Sequence, residues 1–300
     1  MRRIDKNKPL QVLKVNKESG LLDYLIENNV RKSRNAIKSL LTHKQIRVND
    51  KTQTQFDLAL KPGDEVGIYP ADLRKNKKEL KGLQIIFEDD YLIVVEKESK
   101  VLSISTGQQQ QQITVYKMLS DYVLKKKRNA RVHVLHRLDR DVSGLMILAK
   151  DEETQEMLQQ FWDSYVVERT YVAVVEGEIE PKEATFDSWL TEDKNFKMHS
   201  SFKENGGQKA ITHYKVLKYN DQFSLLRLTP ETSRKNQVRV QLEHAGFPIV
   251  GDKKYGSTMN PIKRIALHAD RIKLIHPYTK ERLTFDSPIP KKMQQLMNTP

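Results

Sequence analysis

The stretch HVLHRLDRDVSGLMILAK, residues 133–150, places a group of charges between two apolar segments. The flanking residues, HVLH and LMILAK, have the composition of short β-strands. The loop between them contains four charged residues: Arg137, Asp139, Arg140 and Asp141. From this loop alone, the simplest interpretation is that Asp139 caps the turn and pairs with a neighbouring arginine.

The sequence around this loop alternates between short strands and helices. Residues 83–97 and 211–229 each contain two apolar runs joined by a turn, as expected for antiparallel strand pairs. Asp151 can cap an amphipathic helix, and residues 233–246 have the helical spacing of apolar side chains. Strand pairs joined by short turns favour a mixed, mainly antiparallel sheet with helices packed against it, so we predict an α+β fold.

Composition and charge narrow the range of possible functions. The chain has 300 residues, a net charge of +13 and a pI of about 9.5, which favours a polyanionic partner such as a nucleic acid. It has no cysteine, and its eight histidines lack close metal-ligand spacing, so we expect neither disulfides nor a metal site. We find no secretory signal and no long apolar run, and we therefore expect a cytoplasmic protein without membrane contact.

The charge is unevenly distributed, which suggests two domains. Residues 1–80 contain 18 Lys and Arg but only 10 Asp and Glu, a net charge of +8, while the remainder carries +5. A highly charged segment at 73–82 precedes an apolar strand, so we predict a linker there. The predicted organisation is a basic N-terminal domain at 1–72 with its core at about 18–70, the linker, and a larger domain at 83–300.

The N-terminal domain is expected to contain two helices followed by a β-hairpin. Four cations at the start or on the outer face of the second helix are predicted to contact RNA: Arg31, Lys32, Arg34 and Lys38. Residues 21–69 resemble the small RNA-binding domain named after ribosomal small-subunit protein four. The positions that carry this resemblance are Asp23, Leu25, Ser33, Arg34, Leu41, Ile46, Val48, Asn49, Leu60, Gly63 and Asp64. The alternative is a basic helical cap without a specific partner.

The charged loop resembles a known family signature. Residues 136–150, HRLDRDVSGLMILAK, are similar to HRLDxxTSGLLLLAK of RluA/RluD-type pseudouridine synthases, with Val142 in place of the usual threonine. Five further segments match this family in its order: EDDYLIVVEKESK, RTYVAVVEG, AITHYKVL, TSRKNQVRVQLEHAGFPIVGDKKYG and LHADRIKLIHPYTKERLTFDSPIP. Together the segments cover nearly all of residues 85–290, and they imply the pseudouridine synthase fold for this part of the chain.

The resemblance implies an enzyme that isomerises uridines already present in RNA, without a cofactor. Asp139 matches the catalytic aspartate, which either attacks covalently or assists a route through a glycal; both routes stay open. Tyr171 matches the active-site tyrosine that stacks on the target base, and Arg239 matches the arginine that pairs with the carboxylate. Arg137 matches an arginine that fills the space left by the flipped base, and Arg140 is also expected to contact RNA.

The sequence departs from the family pattern in two places and adds one polar segment. Residues 97–100, KESK, replace KPAG, which puts the turn beneath the active site in doubt. Lys235 and Asn236 replace Thr-His, so the start of the following helix and its RNA contacts can differ. Residues 193–210 are polar and basic, and we predict a loop there near the RNA-binding face.

Two other classes of function compete with this interpretation. The first is a non-catalytic RNA-binding factor for ribosome assembly, which would not need Asp139, Tyr171 and Arg239 together. The second is a hydrolase that uses Asp139 and Asp141 as paired carboxylates, although the basic charge of the chain suits RNA better than a neutral sugar. The favoured target is 23S ribosomal RNA, with tRNA as the alternative, and a monomer is expected.

Overall fold

The structure is a computed structural model that describes residues 9–31, 34–69, 78–105 and 113–298. Lys32 and Ser33, two positions of the predicted RNA-binding helix, lie outside these ranges, as do residues 73–77 of the predicted linker. Lys78–Leu80 pair with the strand that follows them, so the large sheet extends into the predicted linker.

Residues 9–69 form a small α/β unit with an apolar core of its own. Leu21, Leu25, Ile37 and Leu40 are buried there, because their spacing places them on one face of each of two helices. The elements are β1 (Gln11–Lys14), β2 (Ser19–Gly20), α1 (Leu21–Glu27), α2 (Arg34–Thr42), β3 (Ile46–Val48), β4 (Lys51–Gln53), β5 (Ala59–Leu60) and β6 (Glu65–Ile68). Strands β1, β6, β3 and β4 form an antiparallel sheet in that order, and β2 pairs with β5. The predicted domain boundaries and the relationship of this unit to ribosomal small-subunit protein four stay predictions.

The rest of the described chain forms a larger unit. Its elements are β7 (Lys78–Leu80), β8 (Leu83–Glu88), β9 (Leu92–Lys97), α3 (Val115–Lys126), β10 (His133–Val134), β11 (Ser143–Ala149), α4 (Glu152–Gln160), α5 (Trp162–Tyr165), β12 (Val166–Glu176), β13 (Glu183–Glu192), β14 (Met198–Ser201), β15 (Gln208–Tyr219), β16 (Phe223–Pro230), α6 (Gln237–His244), a 3₁₀-helix (Lys253–Tyr255), β17 (Leu267–Ile275), β18 (Arg282–Asp286) and α7 (Lys291–Leu296). Asp151 caps α4, because its side chain accepts the N–H of Thr154.

One sheet of twelve strands organises this unit. Its order is β14-β13-β15-β16-β12-β17-β11-β9-β8-β7, and β10 and β18 pair with β11 and β17. The pairs between these strands are antiparallel except β11 with β17. Alternate residues of β11 belong to two different apolar clusters, so the sheet carries a core on each face. The predicted α+β class, with a mixed and mainly antiparallel sheet, is confirmed.

The parallel pair at the centre of the sheet depends on a glycine. Gly144 lies opposite Ala269 and has a φ of 121°, a conformation that side chains rarely adopt. A Cβ atom at this position would lie 2.2 Å from the carbonyl oxygen of Ala269. Gly144 therefore lets β17 approach β11 closely, and this pairing places the charged loop before β11 at the middle of the sheet.

The segment predicted as a loop at residues 193–210 is more regular than expected. Met198–Ser201 form β14, which pairs with the end of β13. Met198 is buried against an apolar cluster with Leu190 and Tyr255, which explains the strand, because an apolar side chain anchors an otherwise polar segment. The segment therefore provides the turn (residues 193–197) and the second strand of a β-hairpin at one edge of the sheet, and its last three residues begin β15.

Candidate active site

The charged loop rests on a buried lysine. Lys97 is completely buried, and its ammonium group donates to three backbone carbonyls, among them that of Arg140 at 3.1 Å. Burial lowers the pKa of Lys97 to about 7, an effect that the charges of Asp141 and Asp139 oppose. The end of β9 thus holds the backbone of the loop from the sheet side.

The KESK turn supports the same loop despite its departure from the family pattern. Ser99 donates its hydroxyl proton to the carbonyl of Asp141 at 2.8 Å, and the N–H of Lys100 donates to the carbonyl of Arg140 at 2.8 Å. Lys100 has a φ of 74°, so it occupies the left-handed conformation that glycine adopts most easily. The turn is therefore built with different residues and still contacts the backbone next to Asp139.

The backbone on both sides of Asp139 is fixed by hydrogen bonds. The hydroxyl group of Ser103 donates to the carbonyl of Leu138 at 2.6 Å and accepts the N–H of Leu138 at 3.2 Å. The carbonyl of Asp139 accepts the N–H of Val142 at 3.1 Å, which closes a turn. Because the loop is held in this way, the position of the Asp139 side chain is defined by the fold.

The carboxylate of Asp139 is bound through one of its two oxygens. Oδ2 accepts hydrogen bonds from Nη1 of Arg239 at 2.7 Å and from Nδ2 of Asn236 at 2.6 Å. Oδ1 receives no hydrogen bond from the residues that the structure describes. One oxygen therefore balances the charge of the guanidinium group, and the other remains available to a substrate.

Arg239 links Asp139 to a second, deeply buried carboxylate. Its Nε and Nη2 donate to the two oxygens of Asp252 at 2.6 and 2.9 Å, and Asp252 is 1% exposed. Burial by itself would lower the pKa of Arg239, but the ion pairs with Asp252 and Asp139 hold this pKa above its usual value. Asp252 fixes the plane of the guanidinium group, which in turn determines where Nη1 meets Asp139.

Asn236, one of the departures from the family pattern, contacts Asp139 directly. Its amide oxygen accepts the hydroxyl proton of Tyr255 at 2.9 Å, and the Tyr255 oxygen accepts the N–H of Met198 at 3.3 Å. This chain of donors orients the amide so that its nitrogen faces Asp139. Asn236 has a φ of 53°, a conformation that asparagine tolerates better than most residues. The sequence showed that Asn236 replaces the histidine of the family pattern. It did not assign Asn236, Tyr255 or Asp252 to the site.

Asp139 lines a cavity of about 740 Å³, within the size range of ligand sites. Tyr171 lines the same cavity from β12 and is half-buried. The register between β12 and β17 shifts around Tyr171, and such an irregularity redirects a side chain relative to the regular alternation of the strand. The structure thus brings together Asp139, Tyr171 and Arg239 at one cavity, and their catalytic roles stay predictions.

The remaining predicted site residues fall into two groups. Arg137 and Arg140 are exposed and line the cavity, where Arg140 also pairs with Asp141 at 3.4 Å. Arg34 is exposed at the start of α2, and Lys38 is exposed one turn later. Arg31 is half-buried and donates to the carbonyl of Val30 at 2.8 Å, and burial lowers its pKa. Lys32 lies outside the described residues.

Within the described ranges, no group of three or more His, Asp or Glu side chains is arranged to hold a metal ion. Of the helices in these ranges, none combines the length and the apolar character that a membrane crossing requires.

The fold and the cavity define the class of protein. Human RNA Pseudouridylate Synthase Domain Containing 4 has the same fold, with a TM-score of 0.58 and 22% identity over 71% of this chain and 92% of its own. Residues 91–244 match the RNA pseudouridylate synthase family. The uncharacterized RNA pseudouridine synthase YhcT of Bacillus subtilis (strain 168) is 30% identical over 98% of each chain. Ribosomal large subunit pseudouridine synthase D of Nitrosomonas europaea is 33% identical over 72% of this chain and 64% of its own. The chain belongs to the RNA pseudouridylate synthase family and is an RNA pseudouridine synthase.

Proposed function

We propose that this enzyme converts specific uridines of 23S ribosomal RNA into pseudouridine, with Asp139 as the catalytic residue. The observation that carries the proposal is the carboxylate of Asp139, which binds Arg239 and Asn236 through Oδ2 and keeps Oδ1 available at a cavity of about 740 Å³. The support for a ribosomal target is the relative from Nitrosomonas europaea, which is named for the large ribosomal subunit.

A carboxylate at this position can start the isomerisation in two ways. In the first, Asp139 attacks the nucleotide and the bond between N1 of the base and C1′ of the ribose breaks. In the second, Asp139 removes a proton from the sugar, and loss of the base leaves a glycal. In both, the base rotates, C5 bonds to C1′, the C5 proton is released, and N1 gains a proton. The bond between Asp139 and the nucleotide breaks again in the first route, and Asp139 returns the proton to the sugar in the second. The reaction consumes no oxidant or reductant, so the proposal includes no cofactor.

A uridine within an RNA helix or stack has to leave it before Asp139 can reach the ribose. This flipping costs a few kcal/mol. Tyr171 lies at the same cavity and can stack on the extruded base, while the exposed Arg137 at the rim can occupy the vacated space beside the phosphates. Stacking on Tyr171 and the charge of Arg137 together offset part of the cost of flipping. We further propose a cytoplasmic monomer whose N-terminal unit binds RNA through α2.

The test of the target is a map of pseudouridines in living cells. Ribosomal and transfer RNA from a strain lacking this gene is labelled with carbodiimide and read by primer extension, beside the same strain carrying the wild-type gene. We expect one or more 23S positions to lose pseudouridine in the deletion strain and to regain it on complementation. Loss at tRNA positions alone would replace the proposed target, and an unchanged map of both RNAs would contradict the proposed function.

Replacing the exposed cations of α2 is expected to lower the salt dependence of RNA binding. Each phosphate contact that is lost reduces the slope of log Kd against log salt concentration by about 0.7 to 0.9. We expect the double variant Arg34→Gln/Lys38→Gln to lower the slope by roughly 1.5 when binding to 23S RNA is measured by filter retention. The matched control is Lys17→Gln, which removes an exposed lysine that already pairs with Glu27 at 3.1 Å. An unchanged slope in the double variant would exclude α2 as a phosphate-binding surface.

A further inference from the structure

The turn of the hairpin β13–β14 presents an aromatic side chain to solvent. Phe196 is 70% exposed and has a φ of 58°, a conformation that bulky residues avoid. The other non-glycine residues with positive φ in the described chain are Asn, Asp or Lys. Neither burial nor backbone preference therefore explains a phenylalanine at this position, and such an outlier points to function.

The turn holds Phe196 rigidly. Oδ1 of Asp193 accepts the N–H groups of Asn195 at 2.8 Å and Lys197 at 2.9 Å, and Oδ2 lies 2.9 Å from Nε2 of His199. The N–H of Phe196 donates to the carbonyl of Asp193 at 3.0 Å. Because the backbone is already ordered, a ligand that packs on the ring pays little conformational entropy on binding.

Phe196 lies beside the candidate active site. Its carbonyl accepts hydrogen bonds from the ammonium groups of Lys235 at 3.4 Å and Lys254 at 3.2 Å. Lys235 lines the active-site cavity and directly precedes Asn236, which contacts Asp139. An RNA strand that delivers its uridine to Asp139 therefore has neighbouring nucleotides within reach of this turn.

The two lysines beside Phe196 differ in their charge balance. Lys235 forms an ion pair with Glu192, so much of its charge is neutralised. Lys254 has no acidic partner among the described residues, and it is exposed. An exposed aromatic ring next to an uncompensated cation is the combination that binds single-stranded nucleic acid, where the ring stacks on a base and the cation contacts a phosphate.

We propose that Phe196 is a stacking site for an unpaired nucleobase that flanks the target uridine, with Lys254 at the adjoining phosphate. This inference rests on the proposed function, because it concerns the RNA bound at the same cavity. Aromatic stacking accepts any base, so Phe196 selects for an unpaired conformation of the flanking nucleotide and not for its identity.

The test is RNA binding by the full chain in three variants, with a labelled oligouridylate of about twelve nucleotides as the probe. We expect Phe196→Leu to raise Kd roughly tenfold, or about 1.4 kcal/mol, because leucine keeps an apolar side chain but cannot stack. Phe196→Tyr keeps the ring and retains the affinity of the wild type. The matched control Tyr219→Leu changes another exposed aromatic, at the far end of β15 and about 36 Å from the hairpin end, and leaves Kd unchanged.

Two further readouts separate stacking from a structural role. Phe196→Gly relieves the left-handed backbone and is expected to raise Tm by roughly 2 °C while weakening binding as Phe196→Leu does. Lys254→Gln lowers the slope of log Kd against log salt by about 0.7, whereas Phe196→Leu leaves the slope unchanged.

Equal Kd values for Phe196→Leu and the wild type would overturn the stacking site. This assay reads binding without turnover, so an absence of pseudouridine in 23S RNA would count against the proposed function alone.

Discussion

Asp139→Asn is expected to abolish pseudouridine formation and to lower kcat by at least about 10⁴-fold. The amide has nearly the shape of the carboxylate, but it can neither attack the nucleotide nor accept a proton. Formation of the new bond at C5 releases the C5 hydrogen, so turnover is measured as tritium released from RNA that contains 5-tritiated uridine. We expect the Kd for RNA to change by no more than about twofold, because the substitution leaves the loop and the cavity in place.

The neighbouring carboxylate provides the matched control. Asp141 lies on the same loop, but its side chain pairs with the exposed Arg140 at 3.4 Å and is not bound to Arg239. Asp141→Asn removes the same charge at a distance of two residues and is expected to keep kcat near that of the wild type. A strong loss of kcat in both variants would indicate that the two carboxylates act as a catalytic pair. Retained activity in Asp139→Asn would disprove the assignment of Asp139 as the catalytic residue.

Asp252→Leu is expected to destabilise the protein by about 3–5 kcal/mol. The substitution leaves the buried guanidinium of Arg239, whose side chain is 9% exposed, without the carboxylate that binds it through two hydrogen bonds. The measurement is the free energy of unfolding from urea denaturation of the full chain. Glu183→Ala, which breaks an exposed ion pair with Lys215, is the control and is expected to change stability by less than about 1 kcal/mol.

A double variant separates stability from activity at the same place. Arg239→Met/Asp252→Leu replaces the buried pair by apolar side chains, and we expect it to recover most of the stability lost in Asp252→Leu. Asp139 then lacks its cationic partner, so kcat should stay at least about 100-fold below that of the wild type. If the double variant were as unstable as the single variant, the loss of the Asp252 charge beside the buried Arg239 would not be the cause of the destabilisation.

The helices and strands, and the site residues that lie in family-like segments, could be predicted from the sequence. The strand pairs at 83–97 and 211–229 and the helix at 237–244 follow from local apolar spacing, so the α+β class could be predicted. The family resemblance placed Asp139 and Arg239, 100 residues apart, at one site. Both kinds of prediction depend on patterns within short segments of the chain.

Contacts that depend on tertiary packing could not be predicted in this way. Asp252 and Tyr255 belong to the GDKKYG segment, which the resemblance included without a role, and only the packing of the 3₁₀-helix against α6 brings them to Arg239 and Asn236. The replacement of histidine by Asn236 was visible, but its contact with Asp139 depends on a left-handed backbone. Asp252, Tyr255 and Asn236 all lie in the segment that resembles the family, which is the only sequence feature that points to them. Their partners lie too far away in the sequence to be inferred from spacing.

The edge position of β14 has a consequence for how this enzyme can evolve. The strands that carry the active site lie inside the sheet, where insertion of one residue would turn every following side chain to the opposite face. The hairpin turn at 193–197 ends an edge strand, so its length and composition can change without altering the register of β11 or β12. Mutation of the turn that carries the proposed stacking site can therefore change RNA contacts while the residues around Asp139 are inherited intact.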